Sequence, residues 1–331
     1  MAVSYSSSSS LRRGKTPRAR RSAVRLPQTR LLDGRTAAVS VLAELREEVM
    51  RIAKVPRLAI LHFDDAAGPG SPFIREKLRA CAHIGVEVRQ YALSKQISAT
   101  ALSARLNQLV HEAHLDGIVV QLPLPPELDR NRHGILRIVP EDRDVDCLSE
   151  RWLGRLQTGR ITLKLLHGEA TLLPPVVGAI AYFIEKEHIA LSGKRVTIVG
   201  WGDLVGKPAA AWFLRQRATV TVATTQSHDL AAVTGSADVI VSGAGRARLI
   251  TGSMVKKGAI VFDAGTSSEG GTLVGDVDRE SVEGKAALLS PVPGGIGPLT
   301  VAMLLRNLIV VTEGRSGRKT SRRVPSDRAM P

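Results

Sequence analysis

The chain reads as an α/β protein, and three observations carry that reading. Between residues 33 and 125 short apolar strands alternate with amphipathic helical stretches, the pattern of a parallel sheet covered by helices. From Leu191 a β-branched strand runs into a glycine turn and then a helix. Near the C-terminal end, residues 290–300 hold three prolines and three glycines and lead at once into an apolar helix, residues 301–308. Such a loop excludes helix and regular strand, because proline fixes its own φ and glycine permits a close backbone approach.

A chain of 331 residues is long enough for two domains with real cores, and 44% hydrophobic with 23% charged residues fits a globular protein. No stretch has the eighteen or so uninterrupted apolar residues of a membrane span. Aromatics make up only 3%, so the cores must be built from Leu, Val, Ile and Ala. The net charge of +15 resembles a nucleic-acid signal until it is located: residues 1–32 contribute +8 and residues 313–331 contribute +4, leaving the body nearly balanced. A nucleic-acid role would therefore rest on the tails alone. The first tail is rich in Ser and Arg and free of acid; it reads as a disordered extension of a cytoplasmic protein, with an organelle transit peptide or an upstream start as alternatives. Cys81 and Cys147 give neither a metal spacing nor a disulfide framework and fit a reducing compartment. His111 and His114 lie at i, i+3 without a third ligand, so no metal site is expected.

In order, Val39, Leu42, Leu45, Val49 and Ile52 recur at three- and four-residue steps and predict a helix within 33–54. Residues 57–62 read as a buried strand, 64–72 as a loop, and 73–81 as a helix. Residues 85–91 alternate as a second strand. Ser98 is the expected N-cap of a helix over 98–114 that buries Leu102, Leu106, Leu109 and Val110. Residues 116–122 form a third strand with a proline-stiffened exit, and Gln121 sits at its carboxyl end, where ligands gather in such sheets. Asp142, Asp144 and Asp146 are either a solvated loop or carboxylates aimed into a cleft. The domain border falls near 148–171.

In the second half, residues 195–200 lead into Gly200-Trp201-Gly202-Asp203-Leu204-Val205-Gly206 and a helix over 208–215. Strand, glycine turn and helix form the dinucleotide-binding arrangement of a Rossmann-type domain, with glycines admitting a pyrophosphate to the helix N-terminus. The next strand ends in Thr224 and Thr225, where NAD-selective sites usually hold an acid for the ribose 2′-hydroxyl. Two further strands, 237–243 and 258–265, end in small residues that leave room for a cofactor. The chain recrosses near Pro291, and the loop there suits an anionic or hydrogen-bonding ligand at the helix N-terminus, or is a plain crossing turn.

Four stretches together resemble the bifunctional methylenetetrahydrofolate dehydrogenase/cyclohydrolase family: residues 117–125, 144–146, 273–278 and 291–298. The resemblance covers about residues 33–311 and implies two α/β domains flanking a cleft, paired as a homodimer. It implies a folate-binding catalytic domain over 33–150 with the helix 298–312 added, a Rossmann NAD(P)-binding domain over 151–297, and basic tails over 1–32 and 313–331. The implied chemistry is oxidation of 5,10-methylenetetrahydrofolate by hydride transfer to NADP, with NAD possible, followed by hydrolysis to 10-formyltetrahydrofolate. The family's catalytic lysine falls on Lys77, its glutamine on Gln121 and its pterin-binding aspartate on Asp146. Phe73, Val120, Leu122, Pro293, Gly294, Gly295, Ile296 and Gly297 fall on substrate-binding positions, and Gly200, Trp201, Gly202, Gly206, Thr225 and Thr266 on cofactor-binding ones. The chemistry suits these types: a partly buried lysine can take a proton or position water, Gln121 can orient the amine, and Asp146 can receive pterin N–H donors.

The chain also departs from the family pattern. The family's tyrosine is Phe73, the serine three residues earlier is Gly70, its Pro-Cys-Thr-Pro-x-Gly turn is residues 173–178, its Gly-Arg-Ser turn is Gly200-Trp201-Gly202, and the glycine after the pterin aspartate is Cys147. Loss of the tyrosine hydroxyl is expected to cost hydrolysis more than hydride transfer. Loss of the arginine and serine weakens the expected grip on a 2′-phosphate. A catalytically silent relative that binds folate or nucleotide for a partner is the rival reading.

Overall fold

The computed structural model describes residues 28–52, 54–63, 72–165 and 168–316. The chain opens with a two-residue strand, β1 (Arg30–Leu31), then α1 (Gly34–Arg51), β2 (Arg57–Phe63), α2 (Pro72–Ile84), β3 (Glu87–Leu93), α3 (Ala99–Val110) and β4 (Gly117–Val120). Two short helices follow, α4 (Pro126–Asp129) and α5 (Arg132–Leu136), then α6 (Glu150–Thr158) and a hairpin of β5 (Thr162–Leu165) and β6 (Gly168–Thr171). The second domain runs α7 (Pro175–Lys186), β7 (Arg195–Val199), α8 (Gly206–Arg215), β8 (Thr219–Ala223), α9 (Leu230–Gly235), β9 (Val239–Ser242), β10 (Ile260–Asp263), β11 (Ser267–Glu269), β12 (Thr272–Val274), α10 (Arg279–Val282) and β13 (Leu288–Ser290). The last helix, α11 (Ile296–Ser316), returns to the first domain and packs on α1, α2 and α7.

The first domain is a three-stranded parallel sheet in the order β3-β2-β4. The second is a six-stranded parallel sheet in the order β1-β13-β10-β9-β7-β8. Strand order reverses at β7, which has β8 on one side and β9 on the other. The crevice at the carboxyl ends of β7 and β9 is thus the switch point where such sheets bind ligands.

Local sequence explains the helix starts. The Asp33 side chain accepts the backbone N–H groups of Arg35 and Thr36 at 3.0 and 3.1 Å, capping α1, and Ser98 Oγ accepts that of Ala101 at 3.1 Å, capping α3. Leu102, Leu106 and Leu109 are buried as the spacing predicts, with Val110 only half-buried. The stripe read for α1 is rotated. Val39 is 67% exposed, and the deepest face is Ala37, Ala38, Val41 and Leu45, because small side chains let α11 approach closely while Leu42, Val49 and Ile52 cover the margin.

Two boundaries differ from the sequence reading. Residues 28–32, expected in the tail, extend the second sheet: the backbone N–H groups of Arg30 and Leu32 donate to the Ala287 and Leu289 carbonyls at 3.0 and 2.9 Å, and Thr29 Oγ1 donates to the Ala286 carbonyl at 2.7 Å. The C-terminal helix runs from 296 to 316 rather than 298–312, with Glu313 buried. The remainder of both tails, and Gly70, lie outside the described residues. By length and composition α11 could cross a membrane, but 72% of its apolar window is buried within the protein, which makes it the central core helix. It joins one hydrophobic cluster that takes residues from both domains, from Leu58 and Ile60 to Phe213 and Phe262.

Candidate active site

Three side chains meet at the open end of the first sheet. Lys77 is on α2, one turn after Phe73, and Gln121 is the first residue past β4, its backbone N–H donating to the Leu61 carbonyl at 2.8 Å. The Lys77 ammonium donates to Gln121 Oε1 at 3.0 Å, and Gln121 Nε2 donates to the Leu122 carbonyl at 2.8 Å, which fixes the orientation of the amide. Asp146 completes the group. Burial pushes its carboxyl pKa up, and the nearby Lys77 charge opposes that shift. The three predicted catalytic residues are therefore brought together.

The three acids of 142–146 divide their work. Asp142 pairs with Arg315 on the surface at 3.4 Å. Asp144 is buried, accepts the Leu148 and Ser149 backbone N–H groups at 3.2 and 2.9 Å, and is pushed up by burial to about 6. Only Asp146 faces the amine. Its loop is pinned from α11 by Asn307, whose side-chain amide donates to the Val145 carbonyl at 2.9 Å and the Leu173 carbonyl at 2.8 Å. Cys147 follows with φ 54°, a left-handed conformation that favours glycine. Nothing in its sequence position signals Asn307, which reads as a polar interruption of an apolar helix.

Residues 291–297 lie against the start of α1. The Gly34 backbone N–H donates to the Gly294 carbonyl at 2.8 Å, and a side chain at Gly34 would overlap the Gly295 carbonyl. Gly34 is thus a site-building residue that the sequence reading missed; an Asp-Gly pair ahead of a helix looks like capping alone. Pro293 and Gly297 are exposed, and Gly294 (φ 106°) is half-buried. Ile296 is 2% exposed and Val120 3%, both packed in cores, so they offer a ligand backbone and not side chain. Leu122 is half-buried, and Phe73 is 41% exposed, a ring free to stack.

The glycine turn sits at the switch point. Gly200 has φ 100°, and a Cβ there would press on the Gly243 carbonyl after β9; a Cβ at Gly206 would overlap the Gly200 carbonyl. Gly202 is exposed with open space around it, and Trp201 is 48% exposed. α8 begins at Gly206 with no side-chain cap; the Lys207 N–H is spent on the Gly202 carbonyl and Pro208 has none, so the Gly206 N–H and the helix dipole face an anion. Thr225 and Thr266 are exposed beyond β8 and β10. The cradle therefore fits a dinucleotide: Gly200, Gly202, Gly206 and the start of α8 would hold its pyrophosphate.

The floor of that cradle is a pair of buried aspartates. Asp276 accepts the backbone N–H groups of Ala244, Gly245 and Arg246 at 2.7, 3.3 and 2.8 Å and the Ser242 hydroxyl at 2.8 Å. Asp263 accepts those of Gly265, Asp276 and Val277 at 3.0, 3.1 and 2.9 Å. Burial, helped by the charge of Asp276, pushes Asp263 up to about 7. Together they tie the loops after β9 and β10 to the segment after β12.

Comparison with known proteins decides the family. Residues 32–146 match the family model described as "Tetrahydrofolate dehydrogenase/cyclohydrolase, catalytic domain", and residues 174–316 match its "NAD(P)-binding domain". The chain belongs to the tetrahydrofolate dehydrogenase/cyclohydrolase family. It is 37% identical over 284 residues to the Bifunctional protein FolD of Fusobacterium nucleatum, covering 84% of this chain and 96% of that one. It is 38% identical over 284 residues to the Bifunctional protein FolD of Nocardia farcinica, covering 85% and 96%. Among solved structures it is similar to the FolD enzyme of Campylobacter jejuni (33% identity, TM-score 0.76, covering 86% of this chain and 99% of that one). It is similar also to the Trypanosoma brucei enzyme complexed with NADP cofactor and inhibitor (31% identity, TM-score 0.79, covering 87% and 98%).

Within this family the geometry gives the departures their meaning. Phe73 lies one turn before Lys77 on α2, so the phenolic hydroxyl is missing on the turn that precedes the Lys77 amine. Trp201 and Gly202 occupy the exposed lip of the nucleotide turn.

Proposed function

We propose that the chain oxidises 5,10-methylenetetrahydrofolate to the 5,10-methenyl form with NADP and hydrolyses the product to 10-formyltetrahydrofolate. The observation that carries this reading is the Lys77–Gln121 hydrogen bond beside Asp146, in a chain matching both domains of the family. The pterin ring is stacked by Phe73 and its N–H groups are received by Asp146. The nucleotide is held at Gly200, Gly202 and Gly206 and the start of α8; NADP, when bound there, supplies the hydride acceptor. Lys77 in its neutral form, one N–H still donating to Gln121, takes a proton from the water as the oxygen adds to the methenyl carbon. The adduct then breaks its bond to N5, which receives that proton from the Lys77 ammonium, while the adduct's hydroxyl proton leaves to solvent and the formyl group stays on N10. Asp146 keeps the amine's charge balanced in a partly buried site. One enzyme assay tests the reading: purified protein supplied with methylenetetrahydrofolate and NADP should generate the methenyl absorbance, which then decays by hydrolysis; no signal with either NADP or NAD would refute it.

The same reading has the chain working as a cytoplasmic homodimer. Two buried free cysteines, Cys81 and Cys147, support a reducing compartment. Light scattering on the purified protein and fractionation of the cells would test the two statements, a monomer or an organelle-bound pool overturning them.

A further inference from the structure

One ion-pair network crosses from the first domain to the second at the nucleotide turn. Asp203 immediately follows Gly202. One of its oxygens accepts the Lys207 ammonium of α8 at 2.5 Å; the other faces Arg132 Nη1 at 3.2 Å and His133 Nε2 at 3.6 Å. Arg132 and His133 open α5, which the buried Ile135 and Leu136 anchor in the first domain's core beside Leu102 and Leu106. Arg132 Nη2 donates in turn to Asp129 Oδ2 of α4 at 2.8 Å. The Lys207 backbone N–H also donates to the Gly202 carbonyl at 3.0 Å, so the turn, Asp203 and the start of α8 are tied together. The Asp203 side chain is only 10% exposed, which sets this pair apart from the exposed surface pairs of the molecule.

We propose that Arg132 is a positioning residue for hydride transfer: its bridge to Asp203 holds the nucleotide turn of the second domain at a fixed distance from the folate domain. Hydride transfer needs donor carbon and nicotinamide within contact distance, so it is sensitive to the placement of one domain on the other. Hydrolysis uses Lys77, Gln121 and Asp146, all of the first domain, and is not. The inference rests on the proposed function, and its readouts separate the two.

The test compares wild type, Arg132→Gln, Arg132→Lys, Asp203→Asn and the double variant Arg132→Gln/Asp203→Asn. Four quantities are measured: kcat and KM for NADP in the dehydrogenase reaction, methenyl hydrolysis without nucleotide, and NADP affinity by calorimetry. Arg132→Gln should lower kcat and raise KM and Kd for NADP, each by about threefold or more in low-salt buffer, with hydrolysis within about twofold of wild type. Arg132→Lys should recover part of the loss, and the double variant should be no worse than Asp203→Asn alone. Unchanged NADP binding in Arg132→Gln, a parallel fall of both activities, or strict additivity in the double variant would each overturn the proposal. If wild type oxidised no methylenetetrahydrofolate, the parent reading would fall on its own, and the calorimetry would still decide the bridge.

Discussion

Lys77 and Gln121 come from elements 44 residues apart in sequence and meet at 3.0 Å, the amine donating to an amide that is itself locked onto the Leu122 carbonyl. Because the Gln121 amide is held by the Leu122 carbonyl, its oxygen offers the Lys77 amine an acceptor of fixed position. Lys77→Ala should therefore lower methenyl hydrolysis by about a hundredfold or more while the thermal midpoint stays near that of wild type, since Lys77 is only half-buried. Stopped-flow decay of methenyl absorbance beside a melting curve checks both halves; native turnover would remove Lys77 from the mechanism.

Phe73 stands one turn from that amine with no hydroxyl to offer. Phe73→Tyr should raise the hydrolysis rate more than the dehydrogenase rate. Equal effects on the two, measured on one protein preparation, would contradict the link between the missing hydroxyl and water activation.

Gly34 and Gly295 touch backbone to backbone. A methyl group at Gly34 has no room beside the Gly295 carbonyl, so Gly34→Ala must displace the 291–297 turn or the start of α1. The expected cost is about 1–3 kcal/mol of stability together with a higher KM for the folate substrate. Denaturant melts and initial rates give the two numbers, and Gly154→Ala on α6, which meets open space, is the control.

The nucleotide turn offers a matched contrast. Gly206→Ala collides with the Gly200 carbonyl, whereas Gly202→Ala meets nothing within 4 Å. The first should abolish NADP binding; the second should leave the fold intact and change NADP affinity by less than about tenfold. Calorimetric titration distinguishes them, and native NADP affinity in Gly206→Ala would move the pyrophosphate away from this turn.

Stability should fall as pH rises from about 4 to 7. Asp263, pushed up to about 7 when folded against roughly 3.9 in an unfolded chain, takes up a proton on folding across that window, and Asp144, at about 6, does the same. Their contribution is complete below the unfolded value and is lost as pH passes the folded one; for Asp263 it is on the order of 4 kcal/mol. Below about pH 4 the trend reverses, because Asp33 and Asp238, held low by hydrogen bonds from Thr36 and Lys256, must then be protonated. Thermal midpoints from pH 3 to 8 should peak on the acid side of neutrality, and Asp263→Asn should flatten the slope between 5 and 7.

Much of the fold was legible because parallel α/β structure announces itself locally. Buried strands such as β2 and β9 are continuous apolar runs, caps such as Ser98 are single residues with one role, and a glycine turn after a strand has few other uses. What escaped depends on pairs far apart in the chain. Strand β1 is two residues long and exists only because residues 286–289 lie beside it. Val39 looks like core until the alanines of α1 are seen to be the face that α11 needs. Gly34, Asn307, Arg132 and Asp203 are ordinary residues locally, and each meets a partner at least 70 positions away. The family motifs supplied Lys77, Gln121 and Asp146 in advance because the same chemistry has to recur at the same spacing; they said nothing of the contacts that hold those residues in place.

Strand β1 and helix α11 cross over: the first residues described belong to the nucleotide domain's sheet, and the last helix packs on α1 and α2 of the folate domain as well as on α7. Neither lobe is therefore a contiguous piece of chain. A cut anywhere between 150 and 171 would strand β1 with the wrong fragment and leave the folate lobe without its central helix. The two lobes are laced together at both ends, so one joint unfolding transition is the expected outcome of a denaturant melt.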